Sequence, residues 1–258
     1  MEETEKPAVP NLVASPCSNP EMGLDEVLAA YSEIGFRKFE VFTHWVKSAF
    51  DVDGDPAGYL DKGAQYRMRF ASLHLPPVAD DRPDSLERAI EAARFADAIG
   101  AGIVLFKAVS RSGYVKAARP FLDAIQGLNV TPVLQNHSGS AISTLDDFRE
   151  VIEGIADPRM RTLLEVGHFH SVGVSWKEGL ELLGDSVALV HIKDQIGAQS
   201  VPFGTGEIDI VGLFGHMRSV GYDGDYVVEM EVADKENMLS YLAGAVEYLR
   251  KHCVKEEC

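Results

Sequence analysis

The sequence predicts an α/β protein that forms a closed (β/α)8 barrel in a single domain, and three observations support this prediction. Short apolar runs alternate with longer amphipathic stretches along the chain, giving eight strand–helix units. Eight units of this length are typical of a parallel barrel with an outer ring of helices. The 258 residues contain no linker-like, low-complexity stretch, and 46% of them are hydrophobic, enough to fill a large core. An open, doubly wound sheet is the alternative, although no glycine-rich phosphate loop follows the first predicted strand.

Four predicted strands and three predicted helices fill the first half of the chain. The strands are apolar or β-branched runs at residues 9–15, 38–42, 70–75 and 103–107. The helices are amphipathic stretches at 24–34, 84–99 and 114–126. Gly35 and Gly100 follow the first two helices as stop signals. Residues 49–63 contain several glycine and proline residues, which predicts a long loop with a short helix.

The second half repeats the alternation four more times. Its predicted strands lie at residues 131–135, 162–165, 187–192 and 225–229. Its predicted helices lie at 146–155, 176–183, 210–220 and 235–251. Residues 1–8 and 252–258 are predicted to be frayed tails of the single domain, 1–258. Residues 202–209 are interpreted either as a loop over the functional site or as a turn that ends in Asp209, the N-cap of the next helix.

Seven of the eight predicted strands end in a polar residue, although strands that are buried on both faces are usually apolar throughout. These residues are Glu40, His74, Lys107, Gln135, Glu165, His191 and Glu229, one from each of the second to eighth strands. The C-terminal ends of barrel strands meet at one face, where active sites lie. Each ending taken singly is also compatible with a strand that runs out into solvent. Together they favour a shared site, because burying a polar group without a partner is costly.

Oxygen ligands with one imidazole suit a divalent metal ion such as Mn²⁺, Mg²⁺ or Co²⁺, and Zn²⁺ is a further candidate. The predicted metal ligands are Gln135, Glu165, His191 and Glu229. A metal chelated by a carbonyl and a neighbouring hydroxyl stabilises an enediolate. A carboxylate can then move a proton from the carbon next to the carbonyl. This chemistry predicts metal-assisted proton abstraction next to the carbonyl of a polyhydroxylated substrate.

Further residues are assigned to catalysis and to substrate binding. Glu229 is the predicted base, with Lys193 and His168 as the other catalytic residues, because an ammonium or imidazole can offset charge or carry a proton. The predicted substrate-binding residues are Glu40, His74, Lys107 and His137. Residues expected outside the central site are Glu231 near its rim, His44 and His170 on the surface or a lid, and His216 and His252 on solvated helix faces.

The amino-acid composition argues against several classes of binding partner. A net charge of −16 argues against nucleic acid, because phosphate binding needs clustered Lys and Arg. No apolar run approaches the ~20 residues that cross a bilayer, and residues 1–10 lack the apolar region of a secretory signal. Three cysteines without paired spacing do not indicate a disulfide framework. We therefore expect a cytoplasmic protein with a small, carbohydrate-like substrate, and the sequence is also compatible with a homo-oligomer.

Several segments resemble the sugar phosphate isomerase/epimerase family, the xylose isomerase-like TIM barrels. The most specific are VHIKDQ at 190–195, PFGTGEID at 202–209 and GYDGDYVVEMEV at 221–232. SLHLPP at 72–77, LQNHSG at 134–139 and LEVGHFHSVG at 164–173 fit in the same order. The resemblance covers about residues 10–250 and is weakest in the N-terminal half. It implies a barrel among ketose epimerases, hydroxypyruvate and inosose isomerases, and inosose and dehydroshikimate dehydratases.

The resemblance also implies a divalent metal held at the ends of strands five to eight, usually by Glu, Asp, His and Glu. His191 and Glu229 match this pattern, and Gly167–His168 keep the usual Gly-His pair. Gln135 stands where the family usually has Glu, and Glu165 stands where it usually has Asp. The family's two-base epimerases use the first and last glutamates on opposite faces of the substrate, and an amide cannot accept that proton. One-base isomerisation, β-elimination or retro-aldol chemistry is therefore favoured over two-base epimerisation.

Three other functions are compatible with parts of this pattern. A dehydratase or lyase of the same superfamily would use the same base. Hydrolysis of nucleic acid, as in the related apurinic endonucleases, requires more zinc ligands than the sequence offers and is opposed by its acidity. A non-catalytic barrel with a degenerate metal site, acting as a binding module, would explain Gln135 and Glu165 without an enzymatic reaction.

Overall fold

The computed structural model describes residues 11–253, in which parallel strands close into a barrel. The strands are β1 (Leu12–Ala14), β2 (Lys38–Val41), β3 (Arg69–His74), β4 (Ile103–Leu105), β5 (Thr131–Gln135), β6 (Arg161–Glu165), β7 (Val187–Ile192), β8 (Asp194–Ile196), β9 (Gln199–Val201) and β10 (Asp225–Val228). Eight of them form the barrel, and β1 closes it by pairing in parallel with both β2 and β10. The predicted (β/α)8 barrel is confirmed, and the open-sheet alternative is wrong.

Nine α-helices lie between residues 11 and 253. They are α1 (Leu24–Ile34), α2 (Pro56–Gln65), α3 (Ser85–Ala98), α4 (Arg111–Ala124), α5 (Leu145–Ile155), α6 (Val166–Ser171), α7 (Trp176–Leu183), α8 (Ile210–Ser219) and α9 (Met238–Cys253). Within this part of the chain, none of the helices combines the length and the hydrophobicity that a bilayer crossing requires.

Most predicted bounds lie within about three residues of the observed ones. Three further points concern the short helix of the long loop, elements that were not predicted, and the C-terminal tail. Residues 49–63 were expected to be a long loop with a short helix, and the helix is α2, which starts at Pro56, is capped by the Asp55 side chain and continues beyond this segment to Gln65. The helix α6 and the antiparallel hairpin of β8 and β9 were not predicted. Residues 252 and 253 belong to α9 rather than to a frayed tail, and Cys253 is buried. The remaining tail predictions, at 1–8 and 254–258, lie outside the described residues.

The barrel interior consists of an apolar layer beneath a polar one. The apolar layer is built from fully buried residues of six strands: Val13, Leu105, Val133, Leu163, Leu189 and Val227. Side chains of a strand alternate between its two faces, so the residue two positions further on faces the interior again. Those residues are Ser15, Lys107, Gln135, Glu165, His191 and Glu229. The change from apolar to polar occurs at the C-terminal end of the barrel and places the candidate site there.

Candidate active site

The C-terminal end of the barrel holds a cluster of buried ionisable side chains. Glu40, Glu165 and His191 are 0% exposed, Lys193 is 1% exposed and Glu229 is 5% exposed. The cluster combines three carboxylates with one imidazole and one ammonium. Burying charges is costly unless they are paired, so the arrangement of these groups has to offset a large desolvation penalty. Such a concentration of buried charge is more typical of a functional site than of a core.

His191 stands at the centre of the cluster. Its Nδ1 lies 3.2 Å from both Glu165 Oε2 and Glu229 Oε1, and its Nε2 lies 3.1 Å from Glu40 Oε1. Among residues 11–253, both ring nitrogens and Glu165 Oε2 have no partner with hydrogen-bond geometry. A single proton on Nδ1 can serve only one of its two neighbouring oxygens, whereas a cation serves both. These unsatisfied buried atoms therefore fit a bound cation.

The donor set is consistent with a divalent metal ion. Glu40, His191 and Glu229 each offer a ligand atom, and these atoms lie within 4.8 Å of one another. Glu165 adds its Oε2 on the Nδ1 side of the imidazole. Gln135, the fourth predicted ligand, is buried at the end of β5 in the same polar layer. Glu40, predicted to bind substrate, thus lies closer to the candidate ligands than expected.

Lys193, the residue that follows β7, extends its side chain into this cluster. Its Nζ lies 2.8 Å from Glu229 Oε2, 3.5 Å from Glu231 Oε2 and 3.8 Å from Glu165 Oε1. Burial favours the neutral amine, but the carboxylates of Glu165 and Glu229 outweigh it and raise the pKa of Lys193 well above its ordinary value. Burial likewise favours a protonated Glu229, but Lys193 and His191 bring the pKa of that carboxyl well below its ordinary value. Glu229 is therefore ionised, as a base has to be.

The stem of Lys193 has room only because residue 167 is a glycine. A Cβ on Gly167 would lie 3.0 Å from Lys193 Cε and closer still to Cγ and Cδ. Gly167 is held in this place by Glu165, whose Oε1 accepts a hydrogen bond from the Gly167 N–H at 3.1 Å and caps the start of α6. The backbone N–H of Glu165 in turn donates to the side chain of buried Asn136.

A second group of predicted residues lies on the opposite side of His191. His74 is 2% exposed, and its Nε2 lies 3.1 Å from Glu40 Oε1. Its Nδ1 lies 2.7 Å from the Nζ of half-buried Lys107. Burial, the largest cause, lowers the pKa of His74 to about 4 and that of Lys107 to about 8. The polar groups thus form one line, from Lys107 through His74 and Glu40 to His191.

Two further histidines lie near the rim of the site. The rings of exposed His137 and half-buried His168 are 3.8 Å apart, and His168 Nδ1 lies 3.1 Å from Ser138 Oγ. Burial lowers the pKa of His168 to about 4, so this residue is neutral near pH 7. It can accept a proton or a hydrogen bond, but it is not a ready proton donor in its charged form.

The other histidines lie outside the cluster. His170 Nε2 contacts Glu207 Oε2 at 3.1 Å, near the surface. His44, His216 and His252 are exposed, as predicted. Glu231 is also where the sequence suggests, at the rim, with its side chain 48% exposed.

Sequence analysis missed Asp194, which organises the loop at residues 202–209. Its buried carboxylate accepts hydrogen bonds from the backbone N–H groups of Gly204 at 2.8 Å and Gly206 at 2.9 Å. A Cβ on Gly206 would overlap this carboxylate, so the second glycine of the loop is required sterically. The sequence signal for this role was an acidic residue two positions after the end of β7, followed by a loop with two glycines. Asp209 caps α8 by accepting a hydrogen bond from the Gly212 N–H, which agrees with the N-cap interpretation, one of the two given for residues 202–209.

Ser15 and Ser72 were also missed, and both donate hydrogen bonds to Glu40. Ser15 Oγ donates to Oε2 at 2.8 Å, and Ser72 Oγ donates to Oε1 at 3.1 Å. Strand alternation offers a signal for Ser72, because it precedes His74 by two residues and shares its face. Serine is common in barrels for many reasons, so this signal is weak.

Comparisons with known proteins agree with the barrel fold. The family model described as "Xylose isomerase-like TIM barrel" matches residues 28–252. "Inosose dehydratase" of Geobacillus thermodenitrificans (strain NG80-2) is 26% identical over 153 residues, which cover 51% of this chain and 50% of that protein. "Putative L-ribulose-5-phosphate 3-epimerase SgbU" of Escherichia coli (strain K12) is 29% identical over 97 residues, 34% of each chain. The chain thus matches half or less of the length of these relatives.

Solved structures show the same fold. The IOLI protein with a bound zinc atom has a TM-score of 0.76 at 14% identity, covering 94% of this chain and 98% of that one. A xylose isomerase domain protein from Alicyclobacillus acidocaldarius subsp. acidocaldarius has a TM-score of 0.76 at 19% identity, covering 94% and 99%. At these identities the similarity establishes the shared barrel and leaves the reaction to be argued from the site.

Proposed function

This chain belongs to the xylose isomerase-like TIM barrel family, and from that premise we propose that it is a divalent-metal-dependent isomerase or epimerase. Its substrate is a sugar or a related polyhydroxy carbonyl compound, and the reaction begins with removal of the proton next to the carbonyl. One observation carries this proposal: Glu165 Oε2 and Glu229 Oε1 converge on His191 Nδ1, and within residues 11–253 this nitrogen has no hydrogen-bond partner.

The metal would be held by His191, Glu165 and Glu229, with Gln135 beside them in the same layer. When bound, a divalent ion polarises the substrate carbonyl and stabilises negative charge on its oxygen. A set of mainly oxygen donors with one imidazole suits Mn²⁺, Mg²⁺ or Co²⁺, and it also accommodates Zn²⁺.

Glu229 is the base in this proposal, because Lys193 and His191 keep it ionised within a buried site. Lys193 places a positive charge next to the carbon that loses the proton and so offsets developing negative charge. His168 and His137 lie at the rim, where their rings can accept hydrogen bonds from substrate hydroxyls. Lys107 is half-buried beside His74, on the other side of His191, and its ammonium can donate a hydrogen bond to a substrate oxygen. Gln135 supplies no second base.

Dehydration is the second candidate, and the pairing of Lys193 with Glu229 favours it. Elimination of water needs a base for the carbon-bound proton and a donor for the departing hydroxyl. The ammonium of Lys193, 2.8 Å from Glu229, carries such donor protons in the immediate vicinity of the base. The partial match to an inosose dehydratase agrees with this alternative.

The first prediction concerns exchange with solvent. The purified protein, supplied with Mn²⁺ or Co²⁺ in D₂O, is expected to introduce deuterium next to the carbonyl of its substrate. The panel contains ketoses, ketose phosphates and inososes, and NMR spectroscopy follows the loss of the carbon-bound proton. Treatment with a chelator removes the exchange, and added metal restores it. A product lighter by one water identifies a dehydratase.

Two different negative results would lead to different conclusions about the protein. If the protein retains no metal, shows no thermal shift with Mn²⁺, Co²⁺ or Zn²⁺ and exchanges no proton, the enzymatic proposal is wrong. A thermal shift with a sugar in the absence of metal and turnover would instead support a binding module.

The second prediction concerns pH. Because burial places the pKa of Lys107 at about 8, kcat/KM is expected to fall as the pH rises through that value and the ammonium loses its proton. Lys107→Arg keeps its charge throughout this range and should remove that limb of the pH profile. Lys116→Met, at a residue whose side chain is 69% exposed, is the matched control and should keep the limb. An unchanged limb in Lys107→Arg would exclude Lys107 as its origin.

A further inference from the structure

The carboxylate of Glu40 is fully buried and surrounded by groups that donate protons. Ser15 and Ser72 each donate to one of its oxygens. Oε1 also lies 3.1 Å from the Nε2 atoms of both His74 and His191. A carboxylate has only acceptor sites, and two lone pairs facing each other at this distance would repel. Neither Nε2 has a partner with full hydrogen-bond geometry among residues 11–253, so the proton positions are assigned from the 3.1 Å distances and from the acceptor-only chemistry of the carboxylate. On this basis each Nε2 carries a proton on the side of Glu40.

The neighbours of His74 agree with this assignment. Lys107 Nζ, as an ammonium, has protons but no lone pair, so His74 Nδ1 accepts from it at 2.7 Å. The proton of a neutral His74 is then on Nε2, on the side of Glu40. With these assignments the protons point from Lys107 to His74 and from His74 to Glu40, and the Nε2 proton of His191 points to the same Glu40 oxygen from the other side.

We propose that Glu40 is a positioning residue, which holds the Nε2 proton of His191 and thereby directs Nδ1 to the metal between Glu165 and Glu229. This inference rests on the metal site of the proposed function. It assigns Glu40 a role through His191 rather than a contact with substrate. A carboxylate on the far nitrogen of a metal-binding histidine selects the tautomer, fixes the ring and increases the basicity of the binding nitrogen.

The alternative is that Glu40 itself binds the metal, on the Nε2 side of His191. The distances among Glu40, His191 and Glu229 permit this. However, both Glu40 oxygens already accept hydroxyl protons, whereas Glu165 Oε2 has no hydrogen-bond partner within the described part of the chain. The buried carboxylate oxygen that lacks a donor therefore lies on the Nδ1 side of His191. His191 Nε2, which also lacks an aligned partner among residues 11–253, lies 3.1 Å from Glu40 Oε1. The two arrangements differ in which nitrogen of His191 keeps its proton, and this can be measured.

The test uses the full chain labelled with ¹⁵N at histidine, with Zn²⁺ as a diamagnetic probe. The proposal expects a His191 Nε2–H signal in the metal-free protein that persists when Zn²⁺ is added, while the Nδ1 resonance shifts. Loss of the Nε2–H signal on addition of Zn²⁺ would place the metal on the Glu40 side and overturn the proposal. A His191→Gln variant assigns the signals.

Metal affinity supplies the second readout. Glu40→Gln is expected to lower the calorimetric affinity for Zn²⁺ by about 10–100-fold, the usual effect of losing such a partner. Ser72→Ala is the matched control, because it removes a hydrogen bond to the same oxygen and keeps the charge, so its affinity should stay near that of the wild type. Equal affinity of Glu40→Gln and the wild type would overturn the proposal.

The failure of this proposal can be told apart from failure of the proposed function. If the wild type binds no Zn²⁺, Mn²⁺ or Co²⁺, the metal-dependent function is wrong, and the metal-free spectrum decides the role of Glu40. A Nε2–H that exchanges faster in Glu40→Gln supports the positioning role, and an Nε2 without a proton in the wild type overturns it. If Glu40→Gln does not fold, Glu40→Asp replaces it in both measurements.

Discussion

Glu229→Gln is expected to lower kcat by about 10²–10⁴-fold, the usual contribution of a positioned base, while the barrel remains folded. The amide has nearly the shape of the carboxylate but cannot accept the proton from carbon. Deuterium exchange into the substrate measures the step directly, and circular dichroism checks the fold. Because Glu229 is also a candidate ligand, the assay is run at saturating metal, with the bound metal quantified.

Glu231→Gln is the matched control for this substitution. Glu231 also contacts the Lys193 ammonium, at 3.5 Å, but its side chain is 48% exposed at the rim. Its variant should retain most of the activity, because a contact in water contributes little. Full activity of Glu229→Gln would remove Glu229 from the mechanism and leave the buried carboxylates with a purely structural or binding role.

Gly167→Ala is expected to impair both stability and turnover. The added Cβ would lie 3.0 Å from Lys193 Cε and closer to two other carbons of the same stem. Lys193 is 1% exposed, so its side chain cannot move aside without disturbing the packed core. Overpacking of this kind costs about 1–3 kcal/mol of unfolding free energy. A displaced ammonium would also leave Glu165 and Glu229 without their counter-charge, which should reduce turnover.

Urea denaturation of Gly167→Ala and of Gly58→Ala checks this expectation. Gly58 lies in α2, and a Cβ there would have no heavy atom within 4 Å, so alanine should be neutral or slightly stabilising. If Gly167→Ala is as stable and active as the wild type, the close approach of Lys193 is not a constraint on this site.

Much of the candidate site follows from one sequence pattern. In β5, β6, β7 and β10, a polar residue follows the interior apolar residue by two positions, and the alternation of strands places it in the next layer. This is why Gln135, Glu165, His191 and Glu229 could be grouped before the fold was known. The short helix α6 was not predictable in the same way, because its six residues are too few to show a helical period.

Other parts of the site depend on contacts that no local pattern contains. Ser15 and His74 lie 25 and 34 residues from Glu40 along the chain, and the closed barrel brings them to the same carboxylate. The sequence therefore suggested a substrate contact for Glu40, whereas the structure surrounds its carboxylate with proton donors. The same holds for the approach of Lys193 to Gly167, which lies in α6, the helix that follows the neighbouring strand β6.

The sequence by itself determined the barrel, the end at which the site lies and the residue types that form it, because periodicity along each strand and helix is a local property. Only the tertiary structure decided which of these residues face one another. Glu40 Oε1 and Glu165 Oε2 lie on opposite nitrogens of His191, and Lys193 is buried against Glu229. Such distances depend on the closure and register of strands that are far apart in the chain, and the partners of a buried charge determine its chemistry.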